Sequence, residues 1–425
     1  MNTLRFGDTG TEVQILQLAL SRVGFFAGLL DGFYDAATKL AVVSFQQSFA
    51  LTPDGITGPK TWNRLIPYLK GFFVKTAASG DSFWLLADRY HTTVRAIMTA
   101  NPTIDPQNIY VGQSIVIPLG FNVVPTNISY SSQLFVYIIE GLKARYPFLN
   151  IGTIGKSVMG KPLYYLSIGT GNTQVFYTAT HHANEWITTP MILKYLEEYA
   201  FEYSRGGIIF DTPALTLYNK ATLFMVPLVN PDGLDLVTGV LNDGIYYINA
   251  RTYAGNFPYI TFPSGWKANI SGIDLNLQYP AGWEQAQEIK HSQGFISPAP
   301  RDYVGPSPLA APESRAIYNF TLNHDFSLIL AYHTQGKVIF WKYADYNPPR
   351  SFEIAVKMSE ASGYLVEETP FASGSAGYKD WFIKYFDKPG YTIEAGIGEN
   401  PLPITQFDEI YNDNIGILTL GITET

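Results

Sequence analysis

From residue 131 to the end of the chain, apolar strand-like runs alternate with helix-like segments. The strand-like runs are residues 174–180, 221–229, 327–332 and 390–394, and the helix-like segments are residues 131–145, 188–204, 311–325 and 352–362. Strands that alternate with helices are typical of α/β folds, in which helices cover a largely parallel sheet. We therefore expect residues 131–425 to form one large α/β domain with a mixed, mostly parallel sheet.

The first 70 residues have a different pattern, in which apolar helical faces are separated by glycines and Asp-Gly pairs. This pattern predicts a small all-α bundle of about three helices. Three blocks follow in order, "GDTGTEVQILQLAL", "DGFYDAATKLAVVSFQ" and "DGITGPKTWNRL". Together they resemble the peptidoglycan-binding helical domain of many wall hydrolases. The resemblance covers residues 1–70 and implies a wall-binding module, so the chain is multidomain.

Residues 73–119 begin and end in short β-type runs and contain two short helix-like stretches, which predicts a small α+β domain of βααβ order. The blocks "SGDSFWLLADRY", "TTVRAIMTANP" and "IYVGQSIVIP" resemble a LysM domain. That resemblance implies binding of glycans that contain N-acetylglucosamine. The implied glycan-binding residues are Gly80, Asp81, Asn101 and Ile104. Gly-Asp and Asn-Pro pairs are also ordinary loop formers, so a turn-forming role is an equal alternative. The uncharged residues 120–130 read as a linker.

The composition narrows the possible partners and ligands. Hydrophobic residues make up 46% of the chain and charged residues 15%, which indicates a folded chain and not a disordered one. The formal charge is -8 and lysine and arginine form no cluster, so we expect no nucleic-acid partner. Cysteine is absent, so any transition metal must be held by histidine and carboxylate side chains.

The start of the chain, "MNTLRFGDTG", has neither the charged nor the apolar region of a signal peptide. No uninterrupted apolar stretch reaches the roughly 18 residues of a membrane span. We expect no membrane span and an association with the bacterial cell wall or spore. Synthesis in the cytoplasm, mother cell or forespore and prior removal of a leader are all compatible with the sequence, and the oligomeric state stays open.

Candidate catalytic residues stand where the strand-like runs end. His182 and Glu185 follow the first run, His333 follows the third and Glu394 ends the fourth. Ligand-binding groups of open α/β sheets collect at the carboxyl ends of strands. Two histidines and a carboxylate form the usual catalytic zinc site, and a second carboxylate can act as general base. The spacing His-x-x-Glu also arises by chance, so the pattern alone is only moderately specific.

Seven blocks in this region occur in the order seen in zinc carboxypeptidases of the M14 type. They are "GKSVMGKPL", "THHANEW", "VPLVNPDG", "GIDLN", "AYHTQG", "SGSAGYKDW" and "GYTIEAG". The resemblance covers about residues 128–425. It implies that His182, Glu185 and His333 bind one zinc ion and that Glu394 is the catalytic base. It also implies that Asp274 orients the first zinc histidine, whereas His181 is a structural neighbour.

The sequence departs from the family pattern at the substrate-binding positions. Asn276 is present, but Leu277 stands where exopeptidases carry an arginine for the terminal carboxylate of the substrate. The cation that stabilises the oxyanion should precede "GIDLN", where Arg251 and Lys267 are the candidates. Lys379 aligns with the residue that selects the leaving side chain and suits a carboxylate, although an exposed lysine on a strand is an equal alternative.

Two wall-binding modules joined to this peptidase-like region resemble γ-D-glutamyl-diamino acid endopeptidases. We therefore predict cleavage of the amide bond between γ-D-glutamate and meso-diaminopimelate in peptidoglycan, by attack of zinc-bound water assisted by Glu394. One alternative is a conventional metallocarboxypeptidase that removes C-terminal residues. Another is a catalytically inactive protein that only binds the wall. The length of the preferred stem peptide and the acceptance of lysine-type walls stay open.

Overall fold

The computed structural model describes the whole chain apart from the side chain of Ala372, which lies outside the described residues. It divides the chain into two units, Met1–Asn150 and Ile151–Thr425. The elements of the first unit are α1 (Thr11–Val23), α2 (Ala36–Ser48), α3 (Pro59–Lys70), β1 (Phe72–Thr76), α4 (Phe83–Arg89), α5 (Val94–Ala100), β2 (Ser114–Pro118) and α6 (Ser132–Arg145).

The second unit alternates strands and helices along most of its length. Its elements are β3 (Asn150–Lys156), β4 (Pro162–Ile168), β5 (Thr173–Ala179), α7 (Thr188–Arg205), β6 (Ile208–Ile209), β7 (Thr212–Pro213), α8 (Ala214–Lys220), β8 (Ala221–Val226), α9 (Pro231–Val237), α10 (Gly244–Gly255), α11 (Trp283–Ser292), α12 (Pro312–Leu322), β9 (Phe326–His333), β10 (Val338–Phe340), α13 (Ser351–Ser362), β11 (Leu365–Glu367), α14 (Tyr378–Phe386), β12 (Gly390–Glu394) and α15 (Phe407–Thr423).

The first three helices form a bundle in which two Asp-Gly loops repeat one arrangement. In the loop before α2, the buried side-chain amide of Gln17 donates to Asp31 and accepts the backbone N–H of Gly32. Gln46 repeats both bonds with the Asp-Gly pair before α3. Gly32 has a φ of 77°, a conformation that glycine adopts without steric cost. The repeated sequence motif thus has a structural cause, and the predicted all-α bundle is confirmed.

The next elements form a small two-layer domain. Strands β1 and β2 pair antiparallel, and α5 packs against β2. Each helix begins after a residue whose hydroxyl accepts a backbone N–H of the first turn, Ser82 for α4 and Thr93 for α5. Leu86, Ile97 and Ile117 are fully buried between the layers. This is the βααβ order that the sequence predicted.

The irregular segment of residues 120–130 is packed within the first unit. Its buried apolar side chains are Val123, Val124, Ile128 and Tyr130. The guanidinium groups of Arg22 and Arg145 donate hydrogen bonds to backbone carbonyls of this segment. Helix α6 packs against α3 and α5 in the same unit. The stretch that reads as a linker in the sequence is therefore an ordered part of this unit.

The second unit is built on an eight-stranded sheet of order β11-β10-β12-β9-β5-β8-β4-β3. The four neighbouring strands β12, β9, β5 and β8 run parallel to one another, whereas β10 is antiparallel to β12 and β4 is antiparallel to β8. The predicted mixed, mostly parallel sheet is confirmed. Strands β5, β9 and β12 are mostly buried. Burial on both faces explains why they appear in the sequence as continuous apolar runs.

Helices cover both faces of this sheet, as two neighbouring residues of β5 show. Phe176 belongs to a core that β5 and β9 form with α14 and that includes Trp381. The next side chain, Tyr177, points to the opposite face because side chains alternate along a strand. There its hydroxyl donates to the carbonyl of Leu418 in α15 at 2.7 Å. The sheet therefore has a packed layer on each side.

The carboxyl ends of three central strands lie side by side. Strand β5 ends just before His182, β9 ends at His333 and β12 ends at Glu394. His333 and Glu394 are direct partners in the parallel pairing of β9 and β12. Sequence-distant residues thus meet at one edge of the sheet, as the strand-end argument predicted. Among the described residues, no helix has the length and apolar character that crossing a membrane would take.

Candidate active site

A tight turn after β5 places His182 beside Glu185. Thr180 has a φ of 54°, which is uncommon for a β-branched residue, and its hydroxyl is hydrogen-bonded to two threonine hydroxyls at the start of α7. A short 3-10 helix, Ala183–Glu185, completes the turn. As a result, Nδ1 of His182 and Oε1 of Glu185 are 3.0 Å apart. The i, i+3 spacing in the sequence therefore brings both side chains to one point.

His333 completes a cluster of three buried potential metal ligands. Its Nδ1 atom lies 2.9 Å from Oε2 of Glu185 and 3.2 Å from Nδ1 of His182. One ligand atom from each of these residues lies within 4.8 Å of the other two. Two imidazole nitrogens and a carboxylate are a donor set that zinc accepts. The cluster is therefore compatible with a zinc site.

Asp274 holds the ring of His182 from behind. Its Oδ1 atom lies 3.0 Å from Nε2 of His182, and the carboxylate also accepts the backbone N–H groups of Asn276 and Asp302. Burial alone raises the pKa of Asp274, but the ring of His182, the charge of Lys267 and the backbone N–H of Asp302 outweigh it and lower the pKa below its usual value. A carboxylate on Nε2 favours the tautomer that leaves Nδ1 unprotonated toward the cluster. This is the contact that the family resemblance implied.

The charges around the cluster favour a cation there. Burial alone lowers the pKa of His182, but the carboxylates of Glu185 and Asp274 outweigh it and raise the pKa to about 9. A positive charge, as a proton or a metal ion, is thus stabilised at this point. By contrast, burial lowers the pKa of the neighbouring His181 well below its usual value. Among the described residues, neither ring nitrogen of His181 has a hydrogen-bond partner, and its ring stacks on His333.

Two cavities meet beside this cluster, and His182 and His333 line the inner one. The inner cavity, of about 190 Å³, is lined by His182, Lys267, Asp274, Asn276, Leu277, Lys290, Arg301, Asp302, His333, Phe340, Thr369, Ser373, Gly377, Lys379, Asp380, Thr392 and Glu394. The outer groove is larger, about 920 Å³. Glu394, Lys267 and Arg301 line both spaces. A substrate can therefore extend away from Glu394 in two directions.

Glu394 is the carboxylate that stands free of the ligand cluster. Burial, together with repulsion from Glu185, raises the pKa of Glu394 to about 8. A carboxyl group with such a pKa can both accept and release a proton near neutral pH. Glu394 lines both cavities and is the register partner of His333 in the pairing of β9 and β12.

The two candidate cations for the oxyanion have different surroundings. Nζ of Lys267 lies 2.9 Å from Oε1 of Glu185, at the edge of the cluster. The backbone carbonyl of Lys267 accepts the N–H of Ala183, so its segment is tied to the His182 turn. Arg251 is exposed on α10 and is not among the residues that line the two cavities. Of the two predicted cations, the structure brings only Lys267 to the cluster.

The predicted substrate-binding residues line the inner cavity. Lys379 is buried on α14, where its ammonium group donates to the carbonyl of Lys342 and to Asp380, both at 2.6 Å. The alternative of an exposed lysine on a strand does not apply. The side-chain oxygen of Asn276 accepts the backbone N–H of Tyr378 at 3.0 Å. Leu277 forms an apolar part of the wall.

The four residues proposed for glycan binding have unequal surroundings. Asn101 is buried, and its amide makes three hydrogen bonds to the backbone of Ile97 and Val116. Asp81 pairs with Lys75 at 2.7 Å and accepts a backbone N–H of its own loop. These bonds give the side chains of Asn101 and Asp81 a structural role within the domain itself. Ile104 packs against the domain core, and Gly80 is exposed in a turn with a φ of 85°.

Arg301 is a site residue that the sequence reading missed. It follows helix α11 in an irregular segment after "GIDLN", whereas the family pattern predicts the cation before that block. The backbone carbonyl of the preceding Pro300 accepts the N–H groups of Lys267 and Ala268. These bonds bring the Arg301 segment to the cavities. Pairing between two irregular segments leaves no periodic signal in a sequence.

Comparison with known proteins identifies three families along the chain. Residues 136–415 match the zinc carboxypeptidase family (Peptidase_M14). Residues 9–65 match a peptidoglycan binding domain, and residues 76–118 match the LysM domain. The three resemblances found in the sequence are thereby confirmed.

Individual relatives agree with these families. Gamma-D-glutamyl-L-diamino acid endopeptidase 1 of Lysinibacillus sphaericus is 40% identical over 397 residues, which make up 81% of this chain and 98% of that protein. Carboxypeptidase B of Bos taurus is 25% identical over 260 residues, or 57% of this chain and 56% of that protein. The structure of bovine thrombin-activatable fibrinolysis inhibitor in complex with tick carboxypeptidase inhibitor matches 70% of this chain and 97% of that chain, with 18% identity and a TM-score of 0.54. The structural match concerns the fold alone.

Proposed function

The chain belongs to the zinc carboxypeptidase family, and from this premise we propose that it is a zinc-dependent endopeptidase of peptidoglycan stem peptides. The bond that it cleaves is the amide between γ-D-glutamate and meso-diaminopimelate. The similarity to an endopeptidase named for γ-D-glutamyl-diamino acid bonds, which extends over 98% of that relative, supports this choice.

The residues that line the inner cavity support diaminopimelate as the leaving residue. Leu277 lines this cavity, and in the family pattern its position is the one at which exopeptidases carry an arginine for the terminal carboxylate. A charge-assisted bidentate pair is worth on the order of 1.5 to 3 kcal/mol, and leucine supplies nothing in its place. The cavity instead holds Lys379 and Asp380, a cation and an anion side by side. This pairing suits a leaving residue that carries both a carboxylate and an amine, as diaminopimelate does.

We assign His182, Glu185 and His333 as the residues that hold the zinc ion. Zinc in such a site supplies Lewis-acid chemistry, which activates water and polarises the scissile carbonyl. Glu394 takes a proton from the attacking water and gives it to the leaving amine, since its carboxyl group lies at the junction of the two cavities. Asp274 acts as a positioning residue because it fixes the ring of His182.

Lys267 is the cation that we assign to the developing negative charge on the carbonyl oxygen. Its ammonium group lies beside Glu185 and lines both cavities, whereas Arg251 is exposed on α10. A donor that is already in place when charge develops lowers the barrier without reorganisation. Lys267 is itself held by the backbone bonds that join its segment to the His182 turn.

The N-terminal modules support peptidoglycan as the substrate. Both families are wall-binding families, and they match separate stretches of the first unit. Binding to glycan strands raises the local concentration of stem peptides at the peptidase without any contact at the reacting bond. We therefore propose that the protein acts in association with the cell wall or spore.

The experiment that tests this proposal is mass spectrometry of products from two soluble peptides. L-Ala-γ-D-Glu-meso-diaminopimelate and its D-Ala-extended form are incubated with the zinc-loaded protein, with Glu394→Gln and with the control Glu367→Gln, which changes an exposed residue of β11. Release of L-Ala-D-Glu by the parent and the control, but not by Glu394→Gln, is the expected result. Loss of D-Ala alone would indicate a conventional carboxypeptidase. No cleavage by zinc-loaded protein would favour the inactive wall-binding alternative.

A further inference from the structure

Arg301 lies at the junction of the two cavities, and only part of its guanidinium group is paired. Its Nε atom pairs with Asp302. Within the described residues, its two terminal nitrogens have no hydrogen-bond partner. We propose that Arg301 is a specificity-determining residue that binds the free α-carboxylate of D-glutamate on the acyl side of the scissile bond. This inference rests on the proposed function and concerns the part of the substrate that lies in the outer groove.

The chemistry of a γ-glutamyl bond supplies the anion. When glutamate is linked through its side-chain carboxyl group, its α-carboxylate stays free and charged a few carbon atoms from the scissile carbonyl. A peptide linked through the α-carboxyl group has no anion at that place. A site that prefers γ-linked glutamate therefore needs a cation close to the scissile bond, on the side away from the leaving residue. The planar fork of an arginine matches a carboxylate with two parallel hydrogen bonds.

The other basic residues are less suited to this carboxylate. Lys290 and Lys379 line the inner cavity, which we assign to the leaving residue, and neither is among the residues that line the outer groove. Lys267 and Arg301 are the two basic residues among those that line the outer groove. Lys267 lies beside Glu185 at the metal cluster, where we assign it to the oxygen of the scissile carbonyl. Arg301 is thus the basic residue of the outer groove whose donors are available to a substrate anion.

Neighbouring bonds hold Arg301 in place and make it suitable for substitution. Asp302 accepts from Nε of Arg301, and the backbone N–H of Asp302 donates to Asp274 at 3.1 Å. The guanidinium group is thereby linked to the residue that orients His182. Asp302 also pairs with Lys290 at 2.7 Å. Because this second partner remains, removal of the guanidinium group does not leave a half-buried carboxylate without a counter-charge.

The test compares three forms of the stem tripeptide. The first has free carboxylates, the second carries D-isoglutamine, in which the α-carboxylate of glutamate is an amide, and the third has the α-carboxylate of the leaving residue amidated. The kcat/KM for hydrolysis of each peptide is measured with the parent, Arg301→Met, Arg301→Lys and the control Arg315→Met. Arg315 is an exposed arginine of α12 that is not among the residues lining the cavities. Zinc content is measured for every variant, so that loss of the metal is recognised.

We expect the parent to favour the free peptide over the D-isoglutamine peptide by roughly 10- to 100-fold in kcat/KM. Arg301→Met loses this preference, because its kcat/KM falls on the free peptide and stays near the parental value on the D-isoglutamine peptide. Arg301→Lys keeps part of the preference, since the charge remains and the bidentate contact does not. Amidation of the leaving residue changes the activity of the parent and of Arg301→Met by the same factor.

Three results would overturn the inference while the parent still cleaves the free peptide. An equal loss on all three peptides would make Arg301 a general electrostatic group. A loss that disappears only when the leaving residue is amidated would place its partner on the other side of the bond. A parent that cleaves the free peptide while Arg301→Met keeps the full preference would remove Arg301 from recognition and leave the proposed function intact. If the parent cleaves none of the peptides, the proposed function fails first and the inference falls with it.

Discussion

At the scale of single residues, strand ends and the family resemblance together identify the candidate site. The strand-end positions indicate His182, Glu185, His333 and Glu394, the resemblance to zinc carboxypeptidases implies their roles, and the parallel strands bring them together. Asn101 and Asp81 could not be judged in this way, since the hydrogen bonds that occupy them run to the backbone of sequence-distant residues or to a side chain on the neighbouring strand. Arg301 could not be predicted for a similar reason, because its position beside the cavities depends on hydrogen bonds between two irregular segments.

The contact between Asp274 and His182 leads to a prediction about zinc affinity. Asp274→Asn keeps the shape of the side chain but removes the charge that fixes the histidine tautomer. We expect zinc to bind roughly 10- to 100-fold more weakly, as competition with a coloured chelator measures. Asp345→Asn, a change at an exposed aspartate, should leave the affinity unaltered. Equal affinities for the parent and Asp274→Asn would contradict a positioning role for Asp274.

Lys267 and Arg251 allow a matched comparison of two cations. Lys267→Met should lower kcat roughly 10²- to 10³-fold with a smaller effect on KM, because the lost charge acts mainly in the transition state. Arg251→Met should behave as the parent does, since Arg251 is exposed on α10. Steady-state kinetics on the soluble tripeptide, together with zinc content, distinguishes the two. A large loss in Arg251→Met would return that residue to the site and count against Lys267.

At the scale of helices and strands, the sequence predicts the strands that are buried on both faces of the sheet. The predicted runs correspond to β5, β8, β9 and β12, the four neighbouring parallel strands of the sheet. The runs do not include β3, β4, β10 or β11. The edge strands β3 and β11 have many exposed positions, β4 is only partly buried, and β10 is only three residues long. The order of the strands in the sheet could not be predicted either, because it depends on crossover connections that local periodicity does not encode.

A buried carboxylate on α12 predicts that stability depends on pH. Glu313 accepts hydrogen bonds from the backbone N–H of Val158 and from the side chain of Asn269, and burial raises its pKa to about 7. Repulsion by Asp232 adds to the shift. A carboxyl group with a raised pKa stabilises the folded state fully below its unfolded pKa of roughly 4.3. That contribution is lost as pH rises through the folded value.

The variant Glu313→Gln does not titrate and therefore isolates this effect. From pH 5 to pH 8, the parent should lose on the order of 2 kcal/mol of unfolding free energy relative to Glu313→Gln. Denaturant titrations of the metal-free protein at both pH values, followed by tryptophan fluorescence, measure the difference. The control is Glu284→Gln, an exposed position on α11, which should parallel the parent. A difference between parent and Glu313→Gln that does not change with pH would refute the assignment.

At the scale of the whole molecule, the wall-binding modules should affect only the insoluble substrate. Thr103→Trp places a bulky side chain on the exposed loop between Asn101 and Ile104, where glycan contact is proposed. We expect weaker co-sedimentation with peptidoglycan and slower release of peptides from it, with kcat/KM on the soluble tripeptide unchanged. The matched control is Glu360→Trp, an exposed position on α13. Unchanged co-sedimentation would argue against glycan binding by this loop.

The packing of α6 bears on how chains of this kind can be recombined. The zinc carboxypeptidase match starts at residue 136, inside α6, yet this helix rests on α3 and α5 of the first unit. A graft that replaced everything up to residue 130 would leave α6 with an uncovered apolar face. A suitable boundary for such a graft lies in the few residues between α6 and β3. New binding modules would thus have to arrive together with their own version of α6.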